Sequence, residues 1–234
     1  MAVDVWVLTT AALVRDGTLP GLERSLSADE RDRLPAFRVT ADRIAYAAAH
    51  GLARHALSTH APGVAPGTWT FRTGPRGRPE VDGPAPQRGL RFNLSHTRGT
   101  VACVVTDGVA CGIDVERRDG AADVDLLAHG VLSAAERRRL DGLGEAGRRA
   151  EFFRHWTLKE AYAKARGDGL LLPLDRCEFD PSADPVRARL PDDDRAWRFE
   201  QWEQDDCVVA LALQSPSRAP VTRHSTLYEE SGPS

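Results

Sequence analysis

The spacing of apolar residues divides the chain into short strands and two long helices. Residues 3–8 alternate loosely between apolar and polar, which predicts a first strand. Apolar residues at helical spacing predict one long helix over residues 42–57, and a second long helical stretch is predicted over 148–166. Further strands are predicted at 68–73, 90–94, 100–107, 109–115, 176–179, 186–190, 197–203 and 207–213. The pattern indicates an α+β fold.

Gly108 is the single turn former between two of the predicted strands. A break this short favours a tight hairpin, so we expect strands 100–107 and 109–115 to pair with each other.

The pattern Leu-Ser-Ala-x-Glu-Arg begins at Leu26 and again at Leu132. Ser-x-x-Glu is the capping box that satisfies free amides at a helix start. Because each copy precedes a long helix and then strands, we expect two similar halves produced by duplication, with a cleft between them. Their predicted bounds are 1–106 and 107–214, followed by a polar, fraying tail at 215–234.

Composition restricts the class of protein. Of the 234 residues, 41% are hydrophobic, enough for a substantial core, and 31 basic residues oppose 34 acidic ones. A formal net charge of −3 argues against a protein that binds bulk nucleic acid or anionic membrane. No apolar run is long enough for a membrane span, and no secretory signal is evident. The four cysteines form no CxxC pair, so we expect a cytoplasmic protein with reduced thiols.

Two acidic residues, Asp114 and Glu116, end an apolar run. Residues i and i+2 of a strand project to one face, where two carboxylates repel and need a cation or solvent. An exposed strand end would explain the pair as well, but the apolar run over residues 101–113 favours the edge of a buried sheet.

One helical stripe contains Phe153, Trp156, Glu160 and Lys164. The alternative is a surface Glu–Lys pair, worth only about 0.3–0.5 kcal/mol. The aromatic residues favour burial of the stripe, which would draw both charged side chains inward.

Three carboxylates, Asp114, Glu116 and Glu160, would supply hard oxygen donors for a divalent cation, and Mg²⁺ fits best. The seven histidines and four cysteines show no zinc-ligand spacing.

The strand predicted at 90–94 ends in a run of polar groups. Asn93, Ser95 and His96 offer an amide, a hydroxyl and an imidazole, which can bind a phosphate. The alternative is a turn-capping side chain beside an exposed histidine. The loop at 74–89 is rich in glycine and proline and is either a connector or a ligand loop; the second is favoured by Arg76, Arg78 and Arg88.

Taken in order, these motifs resemble the Sfp-type 4′-phosphopantetheinyl transferases. The resemblance runs over residues 27–213 and depends most on Trp-x-x-Lys-Glu-Ala-x-x-Lys at 156–164, the form of the W/KEA branch. It implies two pseudo-symmetric halves, each a small antiparallel sheet on a long helix, with coenzyme A in the cleft. It also implies transfer of phosphopantetheine from coenzyme A to a serine of an apo acyl or peptidyl carrier protein, releasing adenosine 3′,5′-bisphosphate.

The resemblance implies a role for each matching residue. Glu160 is a magnesium ligand and the base for the serine, and Lys164 assists the leaving bisphosphate. The other implied magnesium ligands are Asp114 and Glu116, and the implied coenzyme A contacts are Arg43 (3′-phosphate), Ser95 and His96 (pyrophosphate), Gly77 and Arg78 (adenine side), Asn93 and Lys164.

Two other functions stay open: a magnesium-dependent nucleotide phosphohydrolase and an inactive coenzyme A-binding module. The sequence does not choose between Mg²⁺ and Mn²⁺, or among polyketide, nonribosomal-peptide and fatty-acid carrier proteins. A monomer is expected, since a duplicated chain can form its own cleft.

Overall fold

The computed structural model describes residues 2–74, 77–84, 89–119, 123–167, 169, 172–217 and 219–227. Arg76 and Arg88 of the predicted ligand loop lie outside these ranges. The chain forms two compact units: Met1–Gly108 with Ala219–Ser234, and Val109–Arg218. Helices and small, mostly antiparallel sheets make up both units, which confirms the α+β class. None of the helices in the described ranges is long and apolar enough to cross a membrane.

The helices and strands follow one another along most of the chain. The helices are α1 (Thr10–Arg15), α2 (Leu19–Ser25), α3 (Ala28–Arg33), α4 (Thr40–His60), α5 (Val124–Val131), α6 (Ala134–Leu140) and α7 (Glu145–Arg166). The strands are β1 (Val3–Thr9), β2 (Thr70–Thr73), β3 (Pro79–Gly83), β4 (Leu90–Thr97), β5 (Thr100–Asp107), β6 (Cys111–Arg117), β7 (Glu178–Asp180), β8 (Arg187–Arg189), β9 (Arg198–Gln204), β10 (Cys207–Leu213) and β11 (Thr222–His224).

The first unit packs α4 against a sheet of order β11-β1-β5-β4. Alternate residues of β4 and β5, including Phe92 and Cys103, bury one face of the sheet against α4 residues such as Leu52 and Ala56. The alanines of α4 let the helix lie close to the sheet, and both long helices form where apolar spacing predicted them.

The second unit packs α7 against the antiparallel sheet β6-β10-β9. Leu158, Ala161 and Tyr162 on α7 meet Phe199 and Ala212 in a buried cluster. The helix therefore rests on its apolar stripe, leaving polar positions of the same helix at the edge of the contact.

The predicted hairpin at Gly108 is wrong. Strand β5 pairs with β1 and β4, whereas β6 pairs with β10 in a different sheet. Gly108 has φ +75° and donates its amide to Gly89 O at 2.7 Å, so it turns the chain out of one unit, and the next unit starts at Val109.

The C-terminal segment also differs from the expected frayed tail. Strand β11 pairs in parallel with β1, and the ring of His224 stacks on Trp6 with centroids 4.5 Å apart. Nε2 of His224 lies 2.8 Å from Oδ1 of Asp4. This part of the tail belongs to the sheet of the first unit.

The repeated Leu-Ser-Ala-x-Glu-Arg pattern forms a capping box in each unit. In the first, the Ser27 amide donates to Glu30 Oε2 at 2.8 Å and the Glu30 amide donates to Ser27 Oγ at 3.2 Å. The same Glu30 carboxylate lies 2.9 Å from His50 Nδ1 and accepts from the Arg54 guanidinium at 2.8 Å. The cap of α3 is thereby tied to α4.

The second capping box repeats this arrangement. Ser133 and Glu136 cap α6 with the same two distances, 2.8 and 3.2 Å. Glu136 Oε1 lies 3.2 Å from His155 Nδ1, and its Oε2 lies 2.7 Å from Lys159 Nζ. Both basic residues are four apart on α7, as His50 is from Arg54 on α4. One structural motif is used twice, which supports the predicted duplication.

These two glutamates predict how stability falls in acid. Burial favours the neutral carboxyl of Glu30, but its hydrogen bonds and basic partners outweigh burial and lower its pKa from 4.5 to about 2. Burial is likewise outweighed at Glu136, whose pKa is also lowered from 4.5 to about 2. The carboxylates of Glu30 and Glu136 bind protons more readily in the unfolded chain than in the folded protein. The two ionised carboxylates therefore stabilise the fold fully above pH 4.5, and this stabilisation is lost as pH falls through 2.

We therefore expect the urea concentration at which half of the protein is unfolded to be lower at pH 3 than at pH 5. Urea titrations followed by circular dichroism measure this change. Glu30→Gln should make the dependence less steep, because it removes one of the carboxyls whose pKa is lowered in the folded protein. A wild-type midpoint that stays constant over this interval would contradict the assignment.

Candidate functional site

Strand β6 presents the two predicted acidic residues on one face. Gly112, Asp114 and Glu116 alternate along the strand, and the Cβ direction of Gly112 points at the backbone of α7. Asp114 is 4% exposed and Glu116 is half-buried. The expectation that the pair stands at the edge of a buried sheet is confirmed.

Helix α7 brings the other two predicted residues to that face. Lys164 Nζ donates to Asp114 Oδ1 at 2.7 Å and to Ile113 O at 3.2 Å. About two helical turns before it, Trp156 Nε1 donates to Glu116 Oε1 at 3.2 Å. Helix α7 therefore runs antiparallel to β6. The side of the helix that bears Trp156 and Lys164 lies along the face of β6 that bears Asp114 and Glu116.

Glu160 lies between these two contacts along α7 and is half-buried. Burial and, after it, the negative charge of Asp114 raise the pKa of Glu160, while the charge of Lys164 acts in the opposite direction. Two carboxylates and one ammonium thus interact at the junction of β6 and α7. A carboxylate in this setting is a better proton acceptor than one in water.

Asp114, Glu116 and Glu160 are chemically suited to Mg²⁺, since all three offer carboxylate oxygens and Asp114 and Glu160 repel each other. A bound cation would relieve that repulsion. Within the part of the chain that the structure describes, no three acidic, histidine or cysteine side chains already stand together as a metal site. The three-carboxylate ligand set stays a prediction, and in this structure the cation on Asp114 is Lys164.

The remaining predicted contacts lie in the first unit. Strand β4 runs to Thr97 rather than ending at Leu94, so Asn93, Ser95 and His96 are strand residues. Asn93 and Ser95 are buried on the face opposite α4, and His96, one residue on, is exposed. Ser95 and His96 therefore do not point in the same direction.

Arg43 lies in the first turns of α4, with its guanidinium 3.6 Å from Glu23 Oε1. Gly77 has φ +81° and closes a turn, donating its amide to Gly74 O at 3.0 Å. Arg78 follows and donates to Phe92 O at 3.1 Å, which holds its side chain beside β4. Of the arginines predicted in this loop, the structure describes Arg78.

Two residues important to the site were not identified from the sequence. Gly112 allows β6 to approach α7 closely, because a Cβ there would lie 2.0 Å from Ala161 O. A glycine inside a strand is a known signal of close backbone approach, so the pattern could have revealed it. Lys159 belongs to the recognised motif, but its burial against Glu136 depends on a distant partner that no local pattern reveals.

Comparisons with known proteins identify the family. A sequence model of the 4′-phosphopantetheinyl transferase superfamily matches residues 110–212, which include Asp114, Glu116, Glu160 and Lys164. Over 199 residues the chain is 33% identical to the 4′-phosphopantetheinyl transferase HetI of Nostoc sp., covering 85% of this chain and 82% of that protein. It is 29% identical over 224 residues to a phosphopantetheinyl transferase of Thraustochytrium sp., covering 88% and 77%.

A solved holo-[acyl-carrier-protein] synthase of Thermotoga maritima aligns with 45% of this chain and 62% of its own, at 24% identity and a TM-score of 0.38. The sequence matches are far more extensive. They show that the chain belongs to the 4′-phosphopantetheinyl transferase superfamily.

Proposed function

We propose that this protein transfers the 4′-phosphopantetheine group of coenzyme A to a serine hydroxyl of an apo acyl or peptidyl carrier protein and releases adenosine 3′,5′-bisphosphate. The observation that carries the proposal is the junction of β6 and α7, where Glu160 is influenced by Asp114 and Lys164 bonds to Asp114. Family membership supports the same reaction. The hydrolase and inactive-module alternatives have no observation in their favour.

In this proposal Asp114, Glu116 and Glu160 hold Mg²⁺ or, in its place, Mn²⁺. When bound, the cation neutralises charge on the pyrophosphate of coenzyme A. Holding it requires Lys164 to share or leave Asp114, which its three N–H donors and partly exposed position allow.

Glu160 accepts the proton of the attacking serine hydroxyl. Serine is a poor nucleophile until a base removes this proton, and burial with a neighbouring negative charge makes Glu160 more basic than a solvated carboxylate. The serine oxygen then forms a bond to the phosphorus of phosphopantetheine, and the bond from that phosphorus to the bisphosphate oxygen breaks. Lys164 donates a hydrogen bond to the departing bisphosphate, whose charge it offsets.

Residues of the first unit bind coenzyme A in this proposal. Arg43 contacts the 3′-phosphate, as its partly exposed guanidinium permits. The loop with Gly77 and Arg78 contacts the adenine side, Ser95 and His96 contact the pyrophosphate, and Asn93 is a further coenzyme A contact. Charge-assisted hydrogen bonds from such groups suit a ligand with three phosphates.

We also propose that the protein works in the cytoplasm as a monomer, on carrier proteins of polyketide or nonribosomal-peptide synthesis, with no nucleic-acid or membrane partner. The cytoplasmic assignment is supported by the four cysteines, which are buried and free of disulfide bonds.

Mass spectrometry of an apo carrier protein tests the reaction. After incubation with enzyme, coenzyme A and Mg²⁺, we expect the carrier protein to gain the mass of one phosphopantetheine group, and chelation of the metal to stop the gain. A carrier protein with alanine in place of the acceptor serine is the control. An unmodified carrier protein with release of phosphate or AMP would instead establish the hydrolase. Binding of coenzyme A with no turnover on carrier proteins of all three classes would establish the inactive module.

A further inference from the structure

Lys159 precedes Glu160 but takes no part in the reaction proposed above. Its side chain is 0% exposed, and each of its three N–H donors has a nearby oxygen. Nζ lies 2.7 Å from Glu136 Oε2 and donates to Leu174 O at 2.7 Å and to Cys177 O at 2.5 Å. Because this buried ammonium has an oxygen partner for each of its three donors, any movement of Lys159 would break a hydrogen bond. The lysine therefore restricts rotation of helix α7.

Glu136 connects this lysine to the rest of the second unit. Its carboxylate completes the capping box of α6, lies against His155 and Lys159 of α7, and accepts the Phe179 amide of β7 at 2.9 Å. Three elements thus meet at one buried carboxylate. We call Glu136, His155 and Lys159 the buried charge cluster.

We propose that Lys159 is a positioning residue for the transfer reaction: through the buried charge cluster it sets the rotation of α7 at which Glu160 and Lys164 meet Asp114. The inference rests on the proposed function.

Helix geometry gives the reason. Neighbouring residues of an α-helix are about 100° apart around the axis, so fixing Lys159 on one side of α7 fixes the direction of Glu160. The apolar residues around α7 would tolerate small rotations, because hydrophobic contact is not directional. Three hydrogen bonds to a single ammonium are directional, and they act on the residue next to the proposed base.

The first unit contains an equivalent of the buried charge cluster, but no proposed catalytic residue follows it. Glu30 binds His50 and Arg54, and Arg54 also donates to Trp69 O at 2.6 Å. The residue after Arg54 is His55 rather than a carboxylate. A cluster of this kind therefore stabilises the fold in both units. The cluster of the first unit is a matched control for the positioning role that we propose for the cluster of the second unit.

The test compares two double variants by steady-state kinetics. Lys159→Met alone leaves Glu136 short of one buried partner and risks unfolding, so Glu136→Gln is combined with it: removing both charges is commonly tolerated, and glutamine still completes a capping box. The control is Glu30→Gln with Arg54→Met. Thermal unfolding followed by circular dichroism establishes the folded fraction of each protein, and initial rates of carrier-protein modification give kcat and KM for coenzyme A.

We expect kcat of Glu136→Gln/Lys159→Met to fall about 10–100-fold, with KM for coenzyme A changed less than about threefold, since a small misplacement of reacting groups has this cost. The control should keep the wild-type kcat. Wild-type kcat in the second-unit variant, an equal loss of kcat in the control, or a second-unit variant that does not fold would each overturn the proposal. Absence of transfer by the wild-type protein would instead refute the proposed function.

Discussion

Replacing Glu160 by glutamine is expected to lower kcat for phosphopantetheine transfer by about 10²–10⁴-fold, the range supplied by a general base. Glutamine keeps the size of the side chain but cannot accept the serine proton. It also takes one anionic oxygen from the proposed metal ligands, so coenzyme A binding should weaken and remain measurable. Because glutamine has nearly the same shape as glutamate, the packing of α7 on β6 should stay intact.

Initial rates by mass spectrometry and coenzyme A binding by isothermal titration calorimetry measure the two effects separately. Glu145→Gln, at the exposed start of the same helix, is the matched control and should behave as wild type. Wild-type turnover in Glu160→Gln would refute the assigned role. Complete loss of coenzyme A binding with an unfolded protein would show that Glu160 is needed for the fold.

Replacing Gly112 by alanine is expected to destabilise the second unit by about 3 kcal/mol or more, at the upper end of the cost of overpacking. The added Cβ would lie 2.0 Å from Ala161 O and 2.5 Å from Ala165 N. Both are backbone atoms of α7, so no side-chain rotation relieves the contact. Helix and strand must separate, and that separation moves Glu160 and Lys164 away from Asp114.

Urea unfolding measures the loss of stability, and transfer rates per folded molecule measure the effect on the site. Gly130→Ala is the control, because Gly130 is within helix α5 and an added Cβ meets nothing within 4 Å. Alanine there should leave the protein unchanged or stabilise it by up to about 1 kcal/mol. Gly112→Ala with wild-type stability and rate would show that the close approach has no role.

Local patterns in the sequence predicted much of this structure. Both capping boxes, both long helices and the shared face of Asp114 and Glu116 depend on spacings of two to four residues, which the sequence displays directly. The aromatic stripe of α7 likewise predicted that Lys164 turns inward.

What could not be predicted depends on contacts between distant residues. Strands β5 and β6 are neighbours in sequence, yet their sheets are chosen by β1 and β10, so the hairpin inferred at Gly108 was wrong. The pairing of β11 with β1 joins the two ends of the described chain. Lys159 finds its carboxylate on another helix, and only the folded chain shows that a capping glutamate is also its partner.

The placement of β11 has a consequence for synthesis on the ribosome. The whole second unit is inserted between β5 and the last strand of the first unit. All strands of the inserted unit have therefore been synthesised at a time when the sheet around β1 still lacks its edge strand β11. Since folding of domains proceeds during translation at about 5–20 residues per second, the portion bearing Asp114 and Glu160 can mature before the portion that was made first.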